Sequence, residues 1–266
     1  MHETPLLTTP AKAELYRNTL EALNWSGVPY LVGGTYAFHY YAGIARPTKD
    51  VDIFVRPADL QRVLDVLARM GFKTEVAFSH WLAKAFVGDR FIDVIFNSGN
   101  GVLEVDDEWF AHAVDESVLG VPVKLCPAEE MIWSKSVIME RERYDGADVA
   151  HLLRHCSGMV NWERLLRRFG ASWRVLLSHL ILFGFIYPGE RSLVPSSIMR
   201  ELVNRLLAEL DVPTRDSKLC QGTLLSRAQY LVDIDEWGYE DARLVPRGGM
   251  TPDQVAEWTA AIDKSD

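Results

Sequence analysis

Thr48-Lys49-Asp50-Val51-Asp52-Ile53-Phe54-Val55 decides how the chain is read. Two aspartates stand two residues apart in a run of strand-forming residues. In a strand, residues i and i+2 point to the same face. Asp50 and Asp52 then project side by side, while Val51, Ile53 and Val55 fill the opposite face. Adjacent carboxylates repel, and neither is stable if buried alone. A divalent cation between them resolves the conflict, and hard oxygen ligands suit magnesium or manganese.

On the N-terminal side, residues 28–32 are short, apolar and β-prone. Gly33-Gly34 follows and opens an aromatic-rich helix over 35–43. Glycines after a strand let a phosphate approach the backbone, and a helix N-terminus supplies unpaired N–H groups. A Gly-Gly pair on its own is more often a tight turn; the carboxylates that follow give it weight. On the C-terminal side, Pro57 starts a helix. Its Leu60, Val63, Leu64 and Leu67 recur at helical spacing and Gly71 ends it. Strands are expected over 72–78, 81–87 and 91–96, with a turn at Gly88-Asp89-Arg90. A hairpin is expected over 114–118 and 121–125.

A third aspartate lies in the middle of Phe91-Ile92-Asp93-Val94-Ile95-Phe96. A charge inside so apolar a strand is costly without a partner. One reading is a salt bridge to Arg46, Lys49 or Arg90. The other is a third carboxylate of a two-metal site, able to take the proton of an attacking hydroxyl.

From Pro127 onward the pattern is helical, over 128–141, 145–156, 161–169, 172–185, 195–209 and 251–263. The last of these opens on a capping pattern, Thr251-Pro252-Asp253-Gln254. Thr9-Pro10 similarly opens a first helix that runs to about 26. The expected fold class is α+β. A small mixed sheet flanked by helices occupies a domain over 1–125, and a helical domain follows over 126–266.

The chain has 266 residues, 48% hydrophobic, enough for a substantial core. A net charge of −9 argues against a surface that coats nucleic acid, though not against a local groove for an RNA end. Cys126, Cys156 and Cys220 are odd in number and far apart, so they form neither a disulfide framework nor a zinc spacing. The first fourteen residues lack a signal-peptide pattern. The apolar run 175–187 is broken by Ser178, His179 and Gly184 and reads as a buried core helix rather than a membrane span. A soluble, cytoplasmic protein is the expectation.

Gly33-Gly34, the segment Arg46-x-Thr48-x-Asp50-Val51-Asp52 and the later Asp93 together resemble the nucleotidyltransferase superfamily of DNA polymerase beta. The form is most similar to a small bacterial branch that includes abortive-infection-type toxins. The resemblance covers roughly residues 28–97. It departs from the commoner Gly-Ser form, and Thr35 is the candidate to supply the missing hydroxyl. The spacing from Gly34 to Asp50 is also slightly longer than usual.

The resemblance implies a metal-dependent transferase using Mg2+ or Mn2+. Asp50 and Asp52 would hold the metals, and Asp93 would complete the second and orient the acceptor hydroxyl. Gly33, Gly34, Thr35, Arg46, Thr48 and Lys135 would serve the nucleotide, with Arg46 equally placed to pin the strand's entry. The nucleoside monophosphate would pass from a triphosphate such as ATP to an RNA end, a protein or a small molecule. A toxin-like relative would also have an antitoxin-like partner protein. The alternative is a nucleotide-binding module of the same fold without catalysis.

Other clusters have plainer readings. Lys135, Arg143, Asp145 and Asp148 are by residue type a solvated charged face; the resemblance implies instead that this run faces the cleft and that Lys135 meets the triphosphate. His151 and His155 stand four apart but lack a third zinc ligand. Arg164, Arg167, Arg168 and Arg174 are either a basic patch or helix-surface charge paired with acids.

Overall fold

The computed structural model of the chain describes residues 9–213 and 218–261. The first eight residues, part of the segment read for a leader, lie outside the described residues. So do 262–263 of the last expected helix. Contacts between α-carbons divide the chain into two compact units: Met1–Pro127 with Gly249–Asp266, and Ala128–Gly248.

In the first unit the elements run α1 (Pro10–Ser26), β1 (Leu31–Val32), α2 (Gly34–Ala42), β2 (Asp50–Phe54), α3 (Leu60–Arg69), β3 (Lys73–Phe78), β4 (Leu82–Val87), β5 (Arg90–Ile95), α4 (Asp107–Ala111), β6 (Val114–Val118) and β7 (Val121–Leu125). The strands form one mixed sheet in the order β3-β4-β5-β2-β1-β7-β6. β2 runs parallel to β5 and β1 parallel to β7, and the other neighbours are antiparallel. The α+β class expected from the pattern is the class observed. β1 is shorter than the expected 28–32. Pro29 has no N–H to give a ladder, so pairing starts only after it.

The alternation in β2 divides its two faces. Val51 and Ile53, with Ile92 and Val94 of β5, are buried. Tyr16, Thr19, Leu20 and Leu23 of α1 line the same small gap as Val51, Ile53 and Ile92, so α1 covers this face. Each such side chain contributes roughly 1.5–3 kcal/mol on burial. That apolar face anchors the strands whose other face carries charge. Tyr41 donates its hydroxyl to the Cys126 carbonyl at 3.0 Å, tying α2 to the end of β7. A last helix, Pro252–Ala260, returns to this unit behind its capping box, and its Trp258 meets Phe78 edge-on at 4.9 Å.

The second unit holds α5 (Ala128–Ser136), α6 (Gly146–Cys156), α7 (Trp162–Phe169), α8 (Trp173–Ile186) and α9 (Ser196–Leu210). A two-stranded parallel pair, Leu219–Cys220 with Glu240–Asp241, completes it. α5 stops earlier than the expected 141. The chain turns into a short bridge between Met139 and Tyr144 instead of continuing as helix. At the centre lies a buried ion cluster. Arg164, 1% exposed, donates to Glu129 at 2.9 Å and also to Glu130; Arg168 reaches Glu130 at 3.1 Å. Arg174 pairs with Glu209. Three of the four arginines considered as a basic patch are therefore matched with acids. Removing one partner of such a buried group costs about 3–5 kcal/mol.

The stretch Trp162–Ile186 is long and apolar enough, by length and composition, to cross a membrane. It is interrupted by the 3-10 turn Gly170–Ser172, and α8 buries Trp173, Leu176, Leu177, His179, Leu180 and Phe183 within its unit. The expectation of a buried helix holds for that face. Ile181, Leu182, Phe185 and Ile186 are exposed.

His179 donates its ring Nε2–H to the Ser136 carbonyl at 2.9 Å. Burial pushes its pKa below the ordinary value of 6.5, more than the carbonyl bond raises it. A depressed histidine adds stability above its unfolded pKa, and that stability is lost as the pH falls. Glu130, which burial pushes up to about 7, gives the opposite slope over part of the same window. The difference between wild type and His179→Gln therefore isolates the histidine. Melting temperatures taken from about pH 7 down to about pH 5 should fall less in the variant than in the wild type.

Candidate active site

The site is built by strand register. β2 and β5 pair in parallel with Asp52 directly opposite Asp93 and Asp50 opposite Phe91. Alternation puts Asp50, Asp52 and Asp93 on one face, away from α1. One carboxylate oxygen from each lies within 4.8 Å of the other two. Among the described residues this is the one group of three or more metal-ligating side chains so placed.

Asp50 and Asp93 are each held from outside the trio. The Thr48 hydroxyl donates to Asp50 Oδ1 at 2.9 Å, which fixes that side chain at the strand's entry. Lys84 on β4 stands opposite Asp93, and its Nζ lies 3.1 Å from Asp93 Oδ1. The same ammonium sits 4.8 Å from the centre of the Phe91 ring. Burial raises the Asp93 carboxyl above its usual range. Lys84 opposes that rise, and the charge on Asp50 adds to it. The partner of Asp93 is thus Lys84, and not the Arg46, Lys49 or Arg90 considered from the sequence.

The glycine pair is joined to the carboxylates. The Gly33 N–H donates to the Asp52 carbonyl at 3.0 Å, and Gly33 caps α2. A Cβ on Gly33 would run into the Phe54 ring. Gly34 has φ +51°, and a Cβ there would fall on the Asp52 carboxylate. In this backbone a side chain at the second position is strained and must displace the Asp52 carboxylate, which favours glycine there. The N–H groups of Gly34, Thr35 and Tyr36 form the first turn of α2, where no intrahelical acceptor exists. They are a ready phosphate-binding end beside Asp52.

The remaining expected residues fall in several places. Thr35 is half-buried on that first turn. Arg46 lays its guanidinium over the Phe38 ring at 4.5 Å, on the segment leading into β2. Tyr16 donates to the Lys49 carbonyl at 2.8 Å. Burial, helped by Asp50, pushes its phenol up to about 12, so it stays neutral beside the acids. Lys135 belongs to the second unit. Its ammonium sits between Asp145, at 3.1 Å, and Asp148, at 2.7 Å, and Arg143 also pairs with Asp145.

Three carboxylates are a hard oxygen donor set of the kind magnesium and manganese take. With Mg–O distances of about 2.1 Å, ligands on one ion lie about 3–4 Å apart, which the span of this trio accommodates. The Asp52 carboxylate fills the space that a glycine leaves. The residues present fit a divalent cation.

The model of a family described as uncharacterised nucleotidyltransferases matches residues 11–180, well over half of the chain. The chain belongs to that family. No curated protein matches it. Among solved structures it is similar to the antibiotic-resistance factor ANT(2'')-Ia, with 16% identity, 64% of this chain and 96% of that one covered, and a TM-score of 0.45. It is also similar to the lincosamide antibiotic adenylyltransferase LnuA with lincomycin bound: 16% identity, 55% and 96% covered, TM-score 0.39. A third is the Megavirus polyadenylate synthase: 13% identity, 55% and 32% covered, TM-score 0.38.

In this nucleotidyltransferase, Lys84 is the site residue that sequence reading missed. A signal for it exists. A two-residue turn at Gly88-Asp89 pairs Val87 with Arg90, and counting back along the hairpin pairs Lys84 with Asp93. The lone lysine of one apolar strand then faces the lone aspartate of the next.

Gly34→Ala tests the joint between helix and carboxylate. Alanine at a positive φ costs about 1 kcal/mol, so melting should drop only a few degrees. The methyl must also displace Asp52, and in the catalytic role proposed below for Asp52 a shift of about 1 Å would cost on the order of 10²-fold in rate. Label transfer from nucleotide should therefore fall far more than stability does.

Proposed function

We propose that the chain transfers a nucleoside monophosphate from a nucleoside triphosphate to a hydroxyl acceptor, with Asp50, Asp52 and Asp93 as the catalytic carboxylates. The observation that carries this reading is the convergence of those three side chains beside the N-terminus of α2. In the proposed reaction the acceptor oxygen attacks the α-phosphorus, the bond to pyrophosphate breaks in line, and Asp93 takes the hydroxyl proton. The raised Asp93 carboxyl suits it to that task. The first-turn amides of α2, with Thr35, bind phosphate oxygens. Thr48 keeps Asp50 aimed, and Arg46 holds the entry to β2 or meets triphosphate charge. A divalent cation held by Asp50, Asp52 and Asp93 would neutralise charge developing on the phosphoryl oxygens.

The proposal treats residues 1–125 as the transferase domain and 126–266 as the helical domain. The acceptor is read as an RNA end, a protein or a small molecule. Each α-labelled triphosphate should be incubated with magnesium and, in turn, total RNA, cell extract or aminoglycosides. Label on one acceptor class identifies it. Magnesium-dependent binding without label on any acceptor would instead support a module that binds nucleotide only.

The double variant Asp50→Asn, Asp52→Asn should abolish transfer while circular dichroism stays native. Label transfer retained by that protein would refute the assignment. Lys84→Met removes the cation that opposes burial at Asp93, so the Asp93 carboxyl should rise further. The acid limb of the pH–rate profile should move to higher pH, and an unmoved limb would exclude Asp93 as the base.

A further inference from the structure

Helix α9 buries Ile198 and Leu202 and leaves a second apolar stripe in water. Val203 is 39% exposed, Leu206 39%, Leu207 53% and Leu210 72%. Their spacing of three, one and three residues makes one continuous seam along the helix. Beside it a groove of about 640 Å³ runs between α8 and α9, lined among others by Ile181, Gly184, Met199 and Arg200. Phe185, 83% exposed, follows on α8.

We propose that this face is where a second copy of the chain docks, α9 against α9, antiparallel about a two-fold axis. The stripe is self-complementary. Val203 and Leu210 lie equally far on either side of the midpoint between Leu206 and Leu207. An antiparallel crossing at that midpoint sets Val203 against the partner's Leu210 and Leu206 against the partner's Leu207, the isologous pattern a two-fold dimer requires. The stripe with Ile181 and Phe185 leaves on the order of 700 Å² of side chain exposed, close to the roughly 800 Å² each partner contributes to a stable interface.

Charge selects the same orientation. Arg200 near the start of α9 and Asp211 just past its end are both exposed, and neither is ion-paired among the described residues. Antiparallel docking brings Arg200 within about one helical turn of the partner's Asp211 at both ends. Parallel docking would set like charges together. Antiparallel helix dipoles add to the preference. A lipid surface would also take an apolar face, but it has no use for a palindromic stripe with opposite charges at its two ends.

The test is sedimentation equilibrium of the full-length protein across the micromolar range. The wild type should fit a dimer. Leu207→Glu places two carboxylates at the axis and should raise the dissociation constant on the order of 30-fold or more. Arg200→Glu should weaken the dimer, and adding Asp211→Arg to it should restore association. These two changes are on exposed positions and keep the test valid if Leu207→Glu fails to fold. A wild type that stays monomeric, or a dimer indifferent to all three variants, would overturn the proposal. So would monomers that float with phosphatidylcholine vesicles.

Discussion

The in-register parallel pairing of β2 with β5 is the constraint on which the site rests. It sets Asp52 across from Asp93 and leaves Asp50 one pleat away on the same face. Two carboxylates about 5 Å apart repel by about 3 kcal/mol at the effective dielectric near a protein surface. The strands stay paired because their other face is sealed under α1. Lys84 also returns one positive charge at 3.1 Å. The trio remains a group of carboxylates placed so that they could hold a metal ion.

In the proposed reaction, carboxylates so close together would repel a triphosphate unless something opposed them. The opposing element is the first turn of α2, and it is not an independent part. Gly33 bonds to the Asp52 backbone, and Gly34 leaves the space that the Asp52 side chain occupies. The acidic strand and the N-terminus of α2 are thus joined through both backbone and side chain. Catalytic gain from positioning depends on such fixed geometry. The glycine pair serves that rigidity at least as much as it serves access to the backbone.

How much of this was legible in the sequence depends on the range of the interaction. Asp50 and Asp52 share a face by strand alternation, which needs only neighbours in the chain. The Lys84–Asp93 pair needs only a hairpin count, but Arg46, Lys49 and Arg90 lie nearer the motif in sequence and compete with it as partners. The β2–β5 register was a different matter. α3, β3 and β4 intervene, and no local pattern fixes a parallel pairing across them. The family motif supplied what the pattern could not, by naming Asp93 as a partner. In the second unit, helix periodicity gave the elements but not their company. Arg164 reads as surface charge until Glu129 and Glu130, more than thirty residues away, are found beside it. α5 ends early because a local bridge, Met139 with Tyr144, replaces continued helix.

The second unit buries an ion cluster beside an apolar core that includes Leu152, Leu153, Leu165, Leu176 and Leu202, and it leaves an apolar stripe on α9 exposed. Its buried arginines and glutamates are weak contributors to net stability, since desolvation consumes much of their attraction. What they do provide is a single allowed arrangement of α5 against α7, because any shift strands a charge. The apolar stripe on α9 has no such internal logic. Chains rarely leave so continuous a seam in water unless something covers it. On α8, the exposed Ile181, Leu182, Phe185 and Ile186 add to the apolar composition that makes Trp162–Ile186 look like a membrane span. Its buried face belongs to its own unit. Under the dimer proposal its outer face would lie beside the contact with a second copy, and that pairing of two apolar faces would account for the composition.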